Sequence, residues 1–177
     1  MNTQLMRKLI LQVAVSLDGL IEGPNGEFDW CFTDQDYGLK DFFKQIDTLF
    51  IGRKTYELMQ GMGENGSPGF PKFKEYIFST TLKTVKDDAV IIKDDIEVNV
   101  KKIKNENGKS IWLFGGGSLT TSLMNLHLVD EIWLAVHPIV LGGGKPLFPE
   151  LRKRVELKLV DSKVYDTGLL FVKYVIK

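Results

Sequence analysis

Strand-sized apolar runs alternate with helix-spaced segments along most of this chain, and the alternation constrains the fold more than any other feature. The first run, residues 8–16, is almost continuously apolar and leads to the turn-forming pair Asp18 and Gly19. Strand-sized runs recur at residues 48–51, 76–79, 89–92, 111–114 and 132–140. Because strands joined through helices lie parallel in one sheet, the pattern predicts an α/β fold with helices on both faces of a mostly parallel sheet.

Helices are predicted between these strands from apolar residues at helical spacing. Their inward positions are Leu39, Phe42, Phe43 and Ile46; Tyr56 and Met59; Ile96, Val100 and Ile103; and Leu119, Leu123 and Leu126. Asp94 is the predicted cap of the third helix. Residues 155–164 and 169–176 flank a turn-forming segment and predict an antiparallel pair near the end of the chain, whereas the Gly/Pro-rich residues 61–71 predict a surface loop.

Composition limits the kinds of partner. The 177 residues suit one domain over residues 1–177, and 23 basic side chains balance 23 acidic ones, so no basic surface for nucleic acid or membrane is predicted. Cys31 is the single cysteine and the chain has two histidines, which argues against an internal disulfide and a structural zinc site. No apolar stretch reaches the roughly 18 residues of a membrane span. We therefore expect a cytoplasmic protein that binds a small molecule and holds no metal.

The glycine run Phe114-Gly115-Gly116-Gly117-Ser118 stands between a predicted strand and a predicted helix. Glycine lets a backbone approach a phosphate closely, and a helix start offers free N–H groups and the positive end of the helix dipole. A phosphate cradle and a tight turn that needs unusual dihedral angles both fit this run.

A second helix start, Gly52-Arg53-Lys54-Thr55, follows the predicted strand at residues 48–51. Two cations and a hydroxyl beside free N–H groups suit a doubly charged phosphate, although Arg53 and Lys54 also fit as solvated surface charges. Taken together with the glycine run, the phosphate interpretation is favoured.

Two common nucleotide motifs do not match this chain. A dinucleotide fingerprint G-x-G-x-x-G that begins at Gly115 would need glycine at Thr120. A P-loop containing Lys145 would need glycine at Ile139 and a hydroxyl residue at Pro146. A nucleotide site on this chain must therefore be of another kind.

Three segments together resemble the dihydrofolate reductase superfamily. They are residues 13–21 (Val-Ala-Val-Ser-Leu-Asp-Gly-Leu-Ile), 51–57 (Ile-Gly-Arg-Lys-Thr-Tyr-Glu) and 112–119 (Trp-Leu-Phe-Gly-Gly-Gly-Ser-Leu). Residues 16–19 and 138–148 are more similar to the branch typified by the C-terminal reductase domain of bacterial riboflavin biosynthesis, the RibD C-terminal domain family. The likeness covers nearly the whole chain. It implies the three-layer αβα dihydrofolate-reductase-like fold, with a mostly parallel central sheet and an antiparallel C-terminal edge.

The resemblance implies NADPH bound along the carboxyl ends of the strands. The glycine run, with a cis bond between Gly115 and Gly116, would contact the pyrophosphate. The helix start at Gly52 matches the family's glycine-basic-threonine segment, and Ser79 and Thr80 at the end of the next strand would meet the adenosine phosphate. Part of the first strand and the segment after it would flank the nicotinamide. The implied cofactor residues are Ala14, Leu20, Ile21, Gly52, Arg53, Lys54, Thr55, Ser79, Thr80, Gly115, Gly116, Gly117, Ser118 and Leu119.

The proton donor is where the chain departs from the family. Dihydrofolate reductases present an acidic residue from the first long helix; alignment by that helix places Leu39 there, whereas counting back from Gly52 places Asp36. The candidate carboxyl groups are Asp36, Asp18 and Glu22, of which the first two are the predicted catalytic residues. A helix cap at Asp36 and a turn residue at Asp18 are the competing interpretations.

Aromatic residues complete the predicted site. Trp30, Phe32 and Tyr37 would either stack on a flat heterocyclic substrate or close the core near a helix start. His137 is interpreted as a satisfied core histidine and His127 as the end of its helix.

The resemblance implies an NADPH-dependent reductase that transfers hydride to a C=N bond of a pyrimidine- or pteridine-like substrate, of the dihydrofolate reductase or 5-amino-6-(5-phosphoribosylamino)uracil reductase type. Two alternatives stay open. One is a nucleotide- or heterocycle-binding protein without turnover. The other is a purely structural dimer subunit, for which the apolar strand at residues 132–140 would be available at an edge or interface.

Overall fold

The computed structural model describes residues 6–61, 70–86 and 88–177, and most of its strands join one eight-stranded sheet. The strands are β1 Leu9–Ser16, β2 Leu20–Glu22, β3 Ile46–Gly52, β4 Lys74–Phe78, β5 Ala89–Ile92, β6 Ser110–Gly115, β7 Glu131–His137, β8 Lys145–Pro146, β9 Leu157–Val164 and β10 Leu170–Ile176. The helices are α1 Leu39–Lys44, α2 Arg53–Gly61, α3 Ile96–Lys104 and α4 Gly117–Asn125.

The large sheet has the strand order β5-β4-β3-β6-β1-β7-β10-β9. Neighbours from β5 to β7 pair in parallel, whereas β10 is antiparallel to both β7 and β9. The prediction of a mostly parallel sheet with an antiparallel C-terminal edge is therefore confirmed. Because the six parallel strands run in one direction, their carboxyl ends meet at one edge, where β1 ends at Ser16, β3 at Gly52 and β6 at Gly115.

Helices cover both faces of the sheet and make the fold three-layered. Successive side chains of a strand point to opposite faces, so that Leu11 of β1 joins one hydrophobic cluster and Ile10 joins the other. The first cluster includes Val100 of α3 and Leu123 of α4, both fully buried. The second includes Phe42 of α1, together with residues of α2. Each helix is held to the sheet by the apolar stripe that its sequence predicts.

Buried ion pairs join elements at the amino-terminal edge of the sheet, opposite the glycine run. Arg7 is 6% exposed; its guanidinium pairs with Asp47 and donates a 2.6 Å hydrogen bond to the Thr48 hydroxyl. The ammonium group of Lys104, also 6% exposed, lies 2.6 Å from a carboxylate oxygen of Asp130. Removing one partner of such a pair would leave an uncompensated buried charge.

Several boundaries differ from the predictions. Ile46, predicted on the first helix, begins β3, because α1 already ends at Lys44 and the Ile46 side chain is buried. Asp94 does not cap α3. The N-cap residue, immediately before that helix, is Asp95, which has a φ of 49° and makes no side-chain capping hydrogen bond. Most of the predicted loop at residues 61–71 lies outside the described residues.

Strand β7 ends earlier than predicted and is not at an edge. It stops at His137, next to Pro138, whose ring nitrogen has no hydrogen to donate to a ladder. It lies between β1 and β10. A dimer formed through residues 132–140 as an edge strand is therefore wrong, since both sides of β7 are already paired. In the described part of the chain, no helix is long and apolar enough to cross a membrane.

Candidate functional site

A cleft of about 420 Å³ lies at the carboxyl edge of the sheet, between the first turns of α2 and α4. It brings together the two phosphate-binding segments that the sequence predicts. The predicted cofactor residues that line it are Gly52, Arg53, Lys54, Thr55, Ser79, Thr80, Gly116, Gly117, Ser118 and Leu119. Ala14, Leu20, Ile21 and Gly115, also predicted, are not among its lining residues.

The glycine run forms one wall, and the surroundings explain why it has no side chains. Strand β6 ends at Gly115, with a φ of 105°, the bond to Gly116 is cis as the resemblance implies, and α4 begins at Gly117. A Cβ on Gly116 would lie 3.3 Å from both the Lys145 ammonium nitrogen and the Thr55 hydroxyl oxygen. Backbone N–H groups of the first helical turn are therefore approachable between a cation and a hydroxyl, which suits an anionic ligand.

The opposite wall starts with α2, directly after Gly52. The Arg53 guanidinium donates to both carboxylate oxygens of Glu57, one turn along the helix, at 2.9 and 3.1 Å. It remains 39% exposed, as expected for a surface ion pair whose cation can also meet a ligand. Lys54 is exposed on the same turn. Two cations thus stand at the positive end of the α2 dipole.

The loop after β4 contributes hydroxyl groups. The Ser79 hydroxyl oxygen accepts hydrogen bonds from the N–H groups of Thr81 (3.2 Å) and Leu82 (3.0 Å), and it therefore shapes the turn. Thr80 and Thr81 are exposed and line the cleft together with Lys93. Thr81 and Lys93 were not predicted from the sequence, because only the tertiary path of the loop brings them to the cleft.

A two-stranded sheet closes the cleft at the α4 side. Strand β2 pairs antiparallel with β8, so that Glu22 lies opposite Lys145, and the Lys145 ammonium is 3.0 Å from a Glu22 carboxylate oxygen. Gly144 has a φ of 141°, and a Cβ there would collide with the Glu22 carbonyl oxygen. Lys145 was not predicted as a site residue. The three glycines before it, Gly142 to Gly144, could have indicated a loop whose backbone closely approaches another backbone.

Asp18 anchors a loop. Its carboxylate accepts hydrogen bonds from the Ser16 hydroxyl (2.6 Å) and from the N–H groups of Gly142 (2.8 Å) and Leu141 (3.2 Å). The Ser16 hydroxyl and these amides lower the pKa of Asp18 to about 2, so the group is ionised near neutral pH. An exposed carboxylate held by three donors matches the turn-residue interpretation.

Asp36 caps the first turn of α1. Its carboxylate oxygens accept hydrogen bonds from the N–H groups of Gly38 and Lys40, each at 3.1 Å. Asp36 is exposed and does not line the cleft. The helix-cap interpretation therefore describes its contacts. In the described residues, no group of three or more histidine, cysteine, aspartate or glutamate side chains is arranged to hold a metal ion.

An aromatic cluster surrounds His137 at the end of β7. The imidazole is 3% exposed; Nε2 accepts from the Phe32 N–H at 3.1 Å, and Nδ1 lies 3.0 Å from the Ala135 carbonyl oxygen. Burial lowers the pKa of His137. Its burial and the contacts of both ring nitrogens are those of a satisfied core histidine. The Trp30 and Phe32 rings lie 5.3 and 5.0 Å from the imidazole, centre to centre.

The three predicted stacking residues differ in exposure. Phe32 is 37% exposed and Trp30 is half-buried, so both present ring surface near the carboxyl edge. Tyr37 is 8% exposed, packs on Tyr165 with ring centres 4.9 Å apart, and donates its hydroxyl to Asp34 at 2.7 Å. Its contacts are those of a core residue.

The remaining predicted residues lie beside the small sheet. Ala14 is in β1, two residues before its end, and Leu20 and Ile21 belong to β2. The Leu20 N–H donates to the Ser16 hydroxyl at 2.9 Å, which ties β2 to the carboxyl end of β1. All three are half-buried.

Known proteins resemble this chain in sequence or in structure. The Bacillus subtilis (strain 168) protein YyaP is 44% identical over 182 residues, which cover 98% of this chain and 97% of YyaP. A putative riboflavin biosynthesis protein from Shewanella sp. PV-4 has a TM-score of 0.84 at 24% identity, covering 96% of this chain and 99% of that one. Enterococcus faecalis dihydrofolate reductase complexed with NADP(H) has a TM-score of 0.70 at 20% identity, covering 96% of each chain.

These structural likenesses confirm the dihydrofolate-reductase-like fold, since they extend over nearly the whole of both chains. The family model of the RibD C-terminal domain matches residues 7–171, which include both walls of the cleft. The chain therefore belongs to the RibD C-terminal domain family.

Proposed function

We propose that this protein is an NADPH-dependent reductase that transfers hydride to a C=N bond of a pyrimidine- or pteridine-like substrate. One observation carries the proposal: the starts of α2 and α4 face one cleft of about 420 Å³ and present cations and approachable backbone N–H groups to it. Family membership and the likeness to a dihydrofolate reductase complexed with NADP(H) support the same reaction class.

The residues present fit a phosphorylated dinucleotide. Along the glycine run, a Cβ on Gly117 would lie 2.9 Å from the Pro146 carbonyl oxygen, so only glycine leaves room there. We assign the N–H groups of this run to the pyrophosphate, with Lys145 as the neighbouring cation. Arg53 and Lys54, with the Thr80 hydroxyl, are assigned to the adenosine phosphate, because a doubly charged phosphate gains most from several charged donors.

NADPH, when bound, supplies the hydride, and the chain supplies position and polarity. The two walls would hold the pyrophosphate and the adenosine phosphate, and would so determine where the nicotinamide lies. Ala14 and the half-buried Leu20 and Ile21 offer apolar surface beside it. The exposed faces of Trp30 and Phe32 suit a flat heterocycle, since aromatic rings stack on such ligands and exclude water from them.

A second function, heterocycle binding without turnover, is favoured by the contacts of the two predicted acids. Asp18 is ionised and held by three donors, and Asp36 accepts two backbone hydrogen bonds at the start of α1. Both carboxyl groups are thus already engaged by hydrogen-bond donors. A protein that had kept the pocket but lost a proton donor would have these properties.

The test begins with identification of co-purified ligands by mass spectrometry, followed by titration with NADPH and an assay of NADPH oxidation with the identified heterocycle. Saturable NADPH binding with oxidation would support the reductase. Saturable heterocycle binding without NADPH oxidation would support the second function. Failure to bind NADPH would contradict the reductase proposal.

A further inference from the structure

His137 joins the end of β7 to a loop that presents aromatic rings. We call residues 28–37 the aromatic loop; it precedes α1 and carries Trp30 and Phe32. The Trp30 ring meets the imidazole edge to face with ring centres 5.3 Å apart, and the Phe32 ring centre lies 5.0 Å from it. The Phe32 N–H donates to Nε2 at 3.1 Å, between residues that are 105 positions apart in the sequence. The backbone and two rings of the loop thus contact one side chain.

The hydrogen-bond partners fix the protonation state of this imidazole. A carbonyl oxygen only accepts, so Nδ1, which lies 3.0 Å from the Ala135 carbonyl oxygen, carries a hydrogen. A backbone N–H only donates, so Nε2 opposite Phe32 carries none. Only the neutral ring with its hydrogen on Nδ1 makes both bonds. A second proton would set an N–H group against the Phe32 N–H and would place a charge on a side chain that is 3% exposed.

Other titratable side chains stand on the elements around the imidazole. Burial raises the pKa of the Cys31 thiol to about 11 and also raises the pKa of Tyr37, so both groups are neutral near pH 7. The others are Asp18 after β1, Asp29, Asp34 and Asp36 on the aromatic loop, and Tyr165 and Asp166 on the turn before β10. In the described residues, none of these groups forms an ion pair with His137. A charge on the imidazole would therefore be buried without a counter-ion.

We propose that His137 is a positioning residue for the substrate end of the site: the neutral ring holds the aromatic loop against β7, and protonation of the ring releases the loop. His137 acts through Trp30 and Phe32, whose exposed ring surface is assigned to the heterocycle, so this role rests on the proposed function. His137 is not among the residues that line the cofactor cleft. Release of the loop should therefore weaken heterocycle binding and leave NADPH binding unchanged.

The direction of the pH dependence follows from burial. Burial lowers the pKa of His137 from its ordinary 6.5 while the loop is in place, and a released loop returns the pKa toward that value. The neutral ring therefore holds the loop fully above pH 6.5, and its hold weakens as pH falls below 6.5.

The first test needs no ligand. In the wild type, the protection factor of the Phe32 amide, measured by NMR hydrogen exchange, should fall at least about tenfold from about pH 8 to about pH 5, because a hydrogen bond is lost. Acrylamide should quench tryptophan fluorescence more strongly at the lower pH, since Trp30 becomes accessible whereas Trp112 and Trp133 are core residues, 3% and 7% exposed. Equal protection of the Phe32 amide at both pH values would overturn the proposal.

Two substitutions separate the acceptor from its titration. His137→Gln keeps an acceptor oxygen that does not titrate, so protection of the Phe32 amide should persist and lose its pH dependence. His137→Leu leaves that N–H unpaired, so protection should be low at both pH values. His127→Asn is the matched control, because it replaces the other histidine, which is exposed just after α4 with a φ of 55° that asparagine tolerates. It should keep the wild-type pH dependence.

Circular dichroism checks that each variant is folded, and His137→Gln carries the test if His137→Leu is not. A pH dependence that remains in His137→Gln would assign the effect to the carboxylates around the loop and overturn the proposal. A pH dependence that His127→Asn removes would overturn it too, as would wild-type protection of the Phe32 amide in a folded His137→Leu variant.

The second test uses pterin and NADPH as probes at pH 7. His137→Leu should weaken pterin binding about tenfold and leave NADPH affinity unchanged, and His137→Gln should restore pterin binding. An equal loss of both ligands would contradict a role confined to the substrate end. If pterin does not bind even to the wild type, the stacking role in the proposed function fails, whereas exchange of the Phe32 amide still decides whether His137 holds the loop.

Discussion

The ammonium nitrogen of Lys145 lies 3.0 Å from a carboxylate oxygen of Glu22, and it would lie 3.3 Å from a Cβ on Gly116. The small sheet is thereby joined to the glycine run by a cation. Both side chains are about one third exposed, 33% for Lys145 and 31% for Glu22, so solvent screens their attraction and leaves the ammonium able to meet an anionic ligand.

Lys145→Met should weaken NADPH binding about tenfold, because a charged donor beside the glycine run would be lost. Glu22→Gln should not weaken it, since that change removes a competing carboxylate and leaves the cation. Dissociation constants from fluorescence titration give the comparison. Lys102→Met, an exposed lysine of α3, serves as the control. Equal affinities for wild type and Lys145→Met would separate Lys145 from the cofactor.

The double variant Arg53→Ala, Lys54→Ala should lose the preference for NADPH over NADH. NADPH affinity should fall by about ten- to a hundredfold, since hydrogen bonds to charged groups contribute about 1.5 to 3 kcal/mol each. NADH affinity should change little, because NADH lacks the extra phosphate. Glu57→Gln frees the Arg53 guanidinium and is the matched variant that should retain the preference. Parallel titrations with both dinucleotides measure it, and an unchanged ratio would refute the assignment.

Gly144→Ala should lower the free energy of unfolding by about 1 to 3 kcal/mol, because the new Cβ would collide with the Glu22 carbonyl oxygen at a residue whose φ is 141°. Gly61→Ala is the control: it lies at the end of α2, and a Cβ there meets no atom within 4 Å in the described residues. That substitution should be neutral or stabilising by up to about 1 kcal/mol. Urea unfolding monitored by tryptophan fluorescence compares the two, and similar losses would contradict the close approach of β8 to β2.

Asp18→Asn should destabilise the protein at neutral pH, and the difference from wild type should shrink as pH falls from 3.8 through 2. The folded pKa of Asp18 is about 2 against an ordinary 3.8, so ionised Asp18 stabilises the fold fully above pH 3.8, and this contribution disappears as pH falls through 2. Unfolding midpoints of wild type and variant, measured in parallel across this pH interval, should converge on the acid side. Asp166→Asn, an exposed carboxylate, is the control, and a gap at pH 2 as large as the gap at neutral pH would refute the role.

The large elements were predictable because their causes are local. Continuous apolar runs gave the parallel strands, helical spacing gave the four helices, and the glycine run marked where β6 ends and α4 begins. The convergence of both helix starts on one cleft was implied by the family resemblance, and it agrees with the rule that parallel strands end at the same edge. The cis bond between Gly115 and Gly116 was predicted from the resemblance to a known family.

The small sheet was not predictable from local patterns. Strands β2 and β8 have three and two residues, which are too few to show periodicity. Their pairing is a long-range contact, since Glu22 and Lys145 are 123 positions apart in the sequence. The role of Asp18 depends on the same long-range contact, since its amide donors belong to Leu141 and Gly142.

The aromatic residues illustrate a similar limit. Residue type identified Trp30, Phe32 and Tyr37 as candidates for stacking, but exposure depends on distant neighbours. Tyr37 is covered by Tyr165, which the hairpin between β9 and β10 brings to it. Tertiary packing therefore decides which of three chemically similar side chains can meet a ligand.

The ion pairs of Arg7 with Asp47 and of Lys104 with Asp130 lie at the rim of the sheet remote from the cleft. These ion pairs, which stabilise the sheet, therefore lie at one edge of it, and the candidate site lies at the other. Loops beside the cleft can therefore differ between relatives without removing these ion pairs. Substitutions in those loops could change which ligand is bound and leave the stability of the sheet unchanged.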